Sequence, residues 1–229
     1  MLEDLKREVY EANMRLFREN LIIFTWGNVS GIDKSGKYVV IKPSGVDYEK
    51  LTPKMMVITD LNGRIIEGAL NPSSDLKTHL EIYKASKDVK GVCHTHSLWA
   101  TTWAQSKRSI SNYGTTHSDY FENEILCSRE LTSKEIDGDY ELNTGKLIIE
   151  TLGNREFLKN KAIIIASHGP FTWGTSPDDS VDTAKVLEYI AQMAKNTEDL
   201  NSKISSIQRE LKEKHFNRKH GKNAYYGQK

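Results

Sequence analysis

The chain has 229 residues, 38% of them hydrophobic and 28% charged, with a formal net charge of +1. That near-neutral balance argues against nucleic acid or an anionic membrane as the main partner, and the length suits one domain with a sizeable core. Two cysteines, Cys93 and Cys127, form neither a CxxC pair nor a disulfide framework, which suits a reducing, cytoplasmic setting. No apolar run approaches the roughly 20 residues that span a bilayer. The acidic, amphipathic start Met1–Lys6 lacks the basic and apolar pattern of a signal peptide.

Leu5, Val9, Ala12, Leu16 and Phe17 recur at helical spacing and predict an amphipathic helix over 2–20, stopped at Asn20. Leu21–Trp26 reads as a strand running into Gly27-Asn28-Val29-Ser30-Gly31. There glycine lets the backbone approach a ligand and Asn28 offers an amide; a hairpin turn is the alternative. Tyr38–Ile41 predicts a second strand, which ends in Lys42-Pro43-Ser44-Gly45. A lysine, a hydroxyl and glycine backbone form a phosphate cradle. Ser73-Ser74, ahead of the next helix, would add hydroxyls, N–H groups and the helix dipole. Each of these loops also reads as an ordinary turn or cap. Met56–Asp60, Asn62-Gly63 and Arg64–Glu67 read as strand, two-residue type I′ turn and strand. Neither GxxxxGK[ST] nor GxGxxG occurs, so nucleotide binding has no support.

Leu76–Ser86 predicts a helix with Leu76, Leu80, Ile82 and Tyr83 buried; His79 on it is either structural or a site residue. Gly91-Val92-Cys93-His94-Thr95-His96-Ser97 follows. Side chains on a strand repeat every second residue, so His94 and His96 project from one face. Two adjacent imidazoles suit a divalent cation of the zinc type, and a surface pair on an edge strand is the alternative. Ser97–Gln105 predicts a short helix. Tyr113–Phe121 mixes polar and aromatic residues, as a loop or short helix lining a cleft or subunit contact would. Its Asp119 is either a general acid/base or a surface aspartate. Leu142–Leu152 predicts a helix preceded by Glu141, and Ile163–Ile165 a buried strand with His168 at its mouth, followed by the turn signal Gly169-Pro170. His94, His96 and His168, with Asp75 from the loop before the helix at 76, would make a three-nitrogen, one-oxygen metal site. Asp75 is also placed as a helix cap. Phe171–Gly174 reads as a strand, and Ser176-Pro177-Asp178-Asp179 as the start of a helix reaching about Glu213. By composition, the basic tail 214–229 is a frayed terminus, or it reaches a partner subunit's anionic substrate.

Seven segments together carry a resemblance: Thr25-Trp26-Gly27-Asn28-Val29-Ser30, Lys42–Tyr48, Pro72-Ser73-Ser74-Asp75, His94-Thr95-His96-Ser97, Gly114–Phe121, Ser167–Phe171 and Ala224–Gln228. In order and over nearly the whole length, they resemble the L-ribulose-5-phosphate 4-epimerases of the class II aldolase and adducin-head superfamily. The resemblance implies a single α/β domain, with a central, mostly antiparallel sheet covered by helices, and a homotetramer with active sites between subunits. It implies Zn2+ on Asp75, His94, His96 and His168, though Mn2+ or Co2+ also suit such a donor set. Phosphate loops fall on Gly27 and Asn28, on Lys42, Ser44 and Gly45, and on Ser73 and Ser74. Asp119 and Tyr226, from the neighbouring subunit, become the proton-transfer pair, supported by Thr116, Glu141, His215 and Arg218. An added Lys229 is the one departure.

The implied reaction interconverts L-ribulose 5-phosphate and D-xylulose 5-phosphate. The C4 hydrogen is not acidic, so inversion proceeds by cleaving C3–C4 and rejoining it, with a divalent cation stabilising the enediolate as a Lewis acid. A free tyrosine has a pKa near 10, so Tyr226 needs a cationic neighbour, with His215 and Arg218 as candidates. The rivals are a class II sugar-phosphate aldolase, which would typically carry glutamate in place of Asp75, a non-catalytic adducin-type head, and a metal-dependent hydrolase.

Overall fold

A computed structural model describes residues 2–227; Met1, Gln228 and Lys229 lie outside the described residues. In chain order the elements are α1 (Leu2–Arg18), β1 (Asn28–Ile32), β2 (Tyr38–Ile41), β3 (Val57–Asp60), β4 (Ile65–Glu67), α2 (Leu76–Ala85), β5 (Gly91–His94) and α3 (Leu98–Gln105). They continue with α4 (Thr115–Ser118), β6 (Leu126–Cys127), α5 (Ser133–Asp137), α6 (Tyr140–Leu152), β7 (Ala162–Ile165), β8 (Gly169–Gly174), α7 (Pro177–Leu200) and α8 (Arg209–His220). The strands form one eight-stranded sheet in the order β4-β3-β2-β1-β5-β8-β7-β6. Every pairing is antiparallel except β6 with β7.

Helices cover both faces, which is why the central strands are apolar runs rather than alternating ones. Val39, Ile41, Val92, Ile163, Ile165, Phe171 and Trp173 pack with Leu80 and Tyr83 of α2 and Ile148 and Leu152 of α6. On the other face, Val40 and Ile58 meet Leu5 and Val9 of α1, Val29 and Cys93 meet Leu16 and Val181, and Ile164 meets Trp103 of α3 and Leu187 of α7. The single-domain α/β architecture expected from the resemblance is therefore present.

Three local readings need correction. Leu21–Trp26 is not a strand: Asn20 and Phe24 have φ of 55° and 53°, and Trp26 N–H closes a turn onto the Ile23 carbonyl. Left-handed backbone breaks a strand despite the β-branched sequence. The β3–β4 connection is not type I′, because that turn needs positive φ at both central residues. Only Gly63 is left-handed (φ 81°), while Asp60 C=O accepts from Gly63 N–H and Asp60 N–H donates to Arg64 C=O. This is a turn with a glycine bulge, consistent with the register shift between β3 and β4. The last long helix also stops early. α7 ends at Leu200, Asn201 turns its side chain onto Lys203 N–H, and the chain reverses before α8. Asn and Ser around 201–206 compete for backbone bonds and are poor helix continuers.

β5 enters the sheet directly under the N-terminus of α7. A Cβ on Gly91 would collide with the Ser176 carbonyl and stand 2.5 Å from Pro177 N. Gly91→Ala should therefore destabilise the fold by about 3 kcal/mol, the upper end of overpacking costs. Urea denaturation should show a lower midpoint with an unchanged m-value.

Candidate metal centre

Strand pairing places the donors. β5 lies between β1 and β8, with Asn28 opposite His94 and His94 opposite Phe171. Gly27, at φ 98°, brings the preceding loop so close that a Cβ there would sit 2.8 Å from the His94 carbonyl. Phe171 stacks on the His94 ring at 4.2 Å and 17°. The His94 Nδ1–H donates to the Pro170 carbonyl at 2.9 Å, which leaves Nε2 with its lone pair free.

His96 lies two residues beyond the end of β5, yet its Nε2 still stands 3.1 Å from His94 Nε2. Glu188 of α7 takes the N–H groups of Trp99 and Ala100 at 2.7 and 2.9 Å, pinning the start of α3 just after His96. His168 follows the left-handed Ser167 (φ 64°) at the turn into β8, and its N–H donates to the Ile165 carbonyl. One ring nitrogen from each of His94, His96 and His168 lies within 4.8 Å of the others. Ligand nitrogens in a tetrahedral zinc shell with Zn–N of 2.0–2.1 Å stand about 3.3 Å apart. The close approach of His94 and His96 matches that demand. Two imidazole lone pairs held so close repel unless a cation or a proton lies between them. The donor set therefore fits a divalent cation.

Asp75 opens α2, but its carboxylate makes no capping bond; it accepts from Asn28 Nδ2 at 2.7 Å. Burial pushes its carboxyl up, but His94, His79, Asn28 and His168 outweigh that and hold it below the ordinary range. Burial, reinforced by His94 and His96, drives the His168 imidazole down to about 3. His96 is lowered by burial and then by His94. At neutral pH His168 is thus neutral and Asp75 ionised, but the group whose ligand atoms lie within 4.8 Å of one another holds the three histidines without Asp75.

These side chains line a cavity of about 490 Å³ shared with Gly27, Asn28, Lys42, Ser44, Gly45, Ser73, Ser74, Tyr140 and Glu141. Its loops are stitched together: Ser44 N–H donates to Asn71 C=O, Ser73 N–H to Lys42 C=O, and the Tyr48 hydroxyl to the Gly27 carbonyl. Lys42 is buried, with Nζ 3.3 Å from the Pro43 carbonyl and 4.8 Å from the Tyr48 ring centre. Burial pulls its ammonium down to about 8, with Asp47 opposing. It remains mostly cationic at pH 7 and, among the described residues, forms no ion pair, which suits an incoming anion. His79 is buried beneath this floor, with Nδ1 on the Ser30 hydroxyl at 2.7 Å.

Asp119, Tyr226, Thr116, His215 and Arg218 lie elsewhere. Thr116 and Asp119 line a separate cavity of about 570 Å³ beside α7. α8 brings His215 Nδ1 to 3.0 Å and Arg218 Nη2 to 2.7 Å from the Asp119 carboxylate, and Lys219 Nζ to 3.7 Å. Burial raises the Asp119 carboxyl, but Arg218, His215 and Lys219 outweigh it and hold it down. Arg218 and Lys219 sit 4.9 and 4.5 Å from the Tyr226 ring centre. His215 is spent on Asp119, so the second cation at Tyr226 is Lys219, which the sequence reading missed although it adjoins Arg218. The stretch 214–220 is helical with Phe216 buried, not frayed.

The family profile described as the Class II Aldolase and Adducin N-terminal domain matches residues 7–195. The chain belongs to that family. Solved class II aldolase structures superpose on most of it. An L-fuculose 1-phosphate aldolase aligns over 94% of this chain and 95% of its own, at 22% identity and a TM-score of 0.80. The L-fuculose 1-phosphate aldolase from Glaciozyma antarctica PI12 covers 97% and 84%, at 19% and 0.76. That from Thermus thermophilus covers 89% and 100%, at 21% and 0.69. At such identities the likeness is one of fold.

This class II aldolase domain also buries His117 next to Asp119. Its Nε2–H donates to the Asn123 carbonyl at 2.9 Å, and burial lowers the imidazole to about 4, against the opposing pull of Asn123 and Glu124. An unfolded histidine titrates near 6.5. Stability is therefore full above that value and falls as pH drops from about 6.5 toward 4, because the unfolded chain binds the extra proton. In metal-free protein, His117→Gln should lower the slope of unfolding free energy against pH by about 1.4 kcal/mol per unit between pH 6 and 4.5, measured by urea titration.

Proposed function

We propose that this protein is a divalent-metal-dependent 4-epimerase interconverting L-ribulose 5-phosphate and D-xylulose 5-phosphate. The observation that carries the reading is the setting of Asp119. α8 supplies His215 and Arg218 to its carboxylate and leads Tyr226 to Arg218 and Lys219. In this reading Asp119 and Tyr226, gathered by the same C-terminal segment, form the acid/base pair. Asp119 does not line the metal cavity of its own chain, which supports a homotetramer in which the pair serves a neighbouring subunit's cavity.

In this reading the substrate phosphate lies against Gly27, Asn28, Ser44, Gly45, Ser73 and Ser74, with Lys42 as counter-charge. Asp75, His94, His96 and His168 hold Zn2+, or Mn2+ or Co2+ in its place. When bound, the ion supplies Lewis-acid stabilisation for negative charge developing at the C2 and C3 oxygens. Asp119 or Tyr226 removes the C4 hydroxyl proton. The C3–C4 electron pair passes toward C2, giving the dihydroxyacetone enediolate and glycolaldehyde phosphate. The aldehyde turns, the bond reforms on its other face, and the acid/base group on the opposite side returns the proton. Thr116 and Glu141 support the site, and Arg218 and Lys219 face the Tyr226 ring.

A second reading, a sugar-phosphate aldolase, is favoured by the neighbouring structures titled L-fuculose 1-phosphate aldolase. The aspartate at 75, rather than glutamate, argues for the epimerase. Product analysis separates them. Metal-loaded protein given L-ribulose 5-phosphate should form D-xylulose 5-phosphate without free glycolaldehyde phosphate, and a chelator should abolish turnover. Accumulating aldehyde would instead identify an aldolase.

Asp119→Asn should lower kcat at least 100-fold, in line with loss of a general acid/base. His96→Ala should be inactive through the metal. Equal amounts of the two, unfolded and refolded together, should regain about a quarter of the activity, because a working site draws one sound part from each of two chains. No recovery would mean that each chain completes its own site.

A further inference from the structure

We propose that Tyr140 is a positioning residue for the metal centre, orienting His168 through its Nδ1. The proposal rests on the metal-dependent reading above. An imidazole ligand can swing about its Cβ–Cγ bond unless its second nitrogen is held, and such partners set both ring orientation and tautomer. His94 has a backbone partner for that purpose, the Pro170 carbonyl. His168 has a side chain instead: Tyr140 Oη stands 3.2 Å from its Nδ1, with the two rings tilted at 40°. When Nδ1 carries the proton, it donates to the phenol oxygen. Nε2 is then left for the cation, and the phenol O–H is free to donate within the cavity that Tyr140 lines.

The phenol does not hang on a loose wall. Tyr140 occupies the first turn of α6, where its carbonyl accepts from Thr144 Oγ1 at 2.9 Å. That turn is bolted to α2: Thr78 Oγ1 donates to the Glu141 carbonyl at 2.7 Å, and Lys77 pairs with Asp139 at 2.7 Å. α2 is the helix that opens with Asp75. One helix pair therefore carries Asp75 and, through Tyr140, sets the angle of the His168 ring.

The test is Co2+ and Zn2+ binding by chelator competition, with the visible spectrum of the Co2+ form, for unaltered protein, Tyr140→Phe, Tyr140→Ala and His168→Ala. Tyr140→Phe keeps the ring and loses only the hydroxyl. It should raise the metal Kd about 10-fold or more, as loss of such partners does, and alter the Co2+ bands, while the thermal midpoint of metal-free protein stays unchanged. Unaltered affinity and spectrum in Tyr140→Phe would overturn the proposal, and so would a loss confined to Tyr140→Ala, which would assign the role to ring packing. If the unaltered protein binds neither ion, or His168→Ala binds as well as it does, the metal reading itself fails.

Discussion

The register of three strands governs this molecule. β1, β5 and β8 pair so that Asn28, His94 and Phe171 stand side by side at one end of the sheet. Side chains alternate with a period of two, so a slip of one residue would turn His94 into the opposite layer and take Asn28 away from Asp75. The register is held from both sides. Val92 and Cys93 each bury against a different helical layer, and neither can be exchanged without exposing apolar surface. The stability of the core and the geometry of the donors are thus one constraint.

Electrostatics divides the chain into two working halves. Around the histidines, burial keeps the His96 and His168 imidazoles low, while the neighbours of Asp75, Asn28 among them, hold its carboxyl down against the opposing effect of burial. Around Asp119, guanidinium and ammonium groups surround a single acid. The two clusters line different cavities of the chain.

Much of this was legible in the sequence because it is local. His94 and His96 sit two residues apart after an apolar run, His168 ends another, and the loops that share their cavity are short strings of Lys, Ser and Gly. The three histidines do converge, although His96 lies beyond the strand that was expected to hold it. The errors arose where backbone conformation overrides composition. Phe24 takes left-handed φ inside a β-branched stretch, and Asn201 ends a helix whose apolar spacing had already faded. Tyr140 and Glu188 gave no signal, since one precedes a predicted helix and the other lies mid-helix. Their roles come from partners 28 and 88–89 residues away, which no local pattern encodes.

The sheet ends in very short strands: three residues of β4 on one side, two of β6 on the other. Exposed strand edges are templates for runaway pairing, and shortness is one way proteins blunt them. β4 is further tethered to α1, where the buried Lys6 ammonium meets Glu67 at 2.6 Å. A chain with so much β-branched sequence in its centre would be a candidate for fibrous aggregation if those edges were long and flat. Here the β-branched strands are sequestered in the middle, and the short edges β4 and β6 offer little template for extending the sheet.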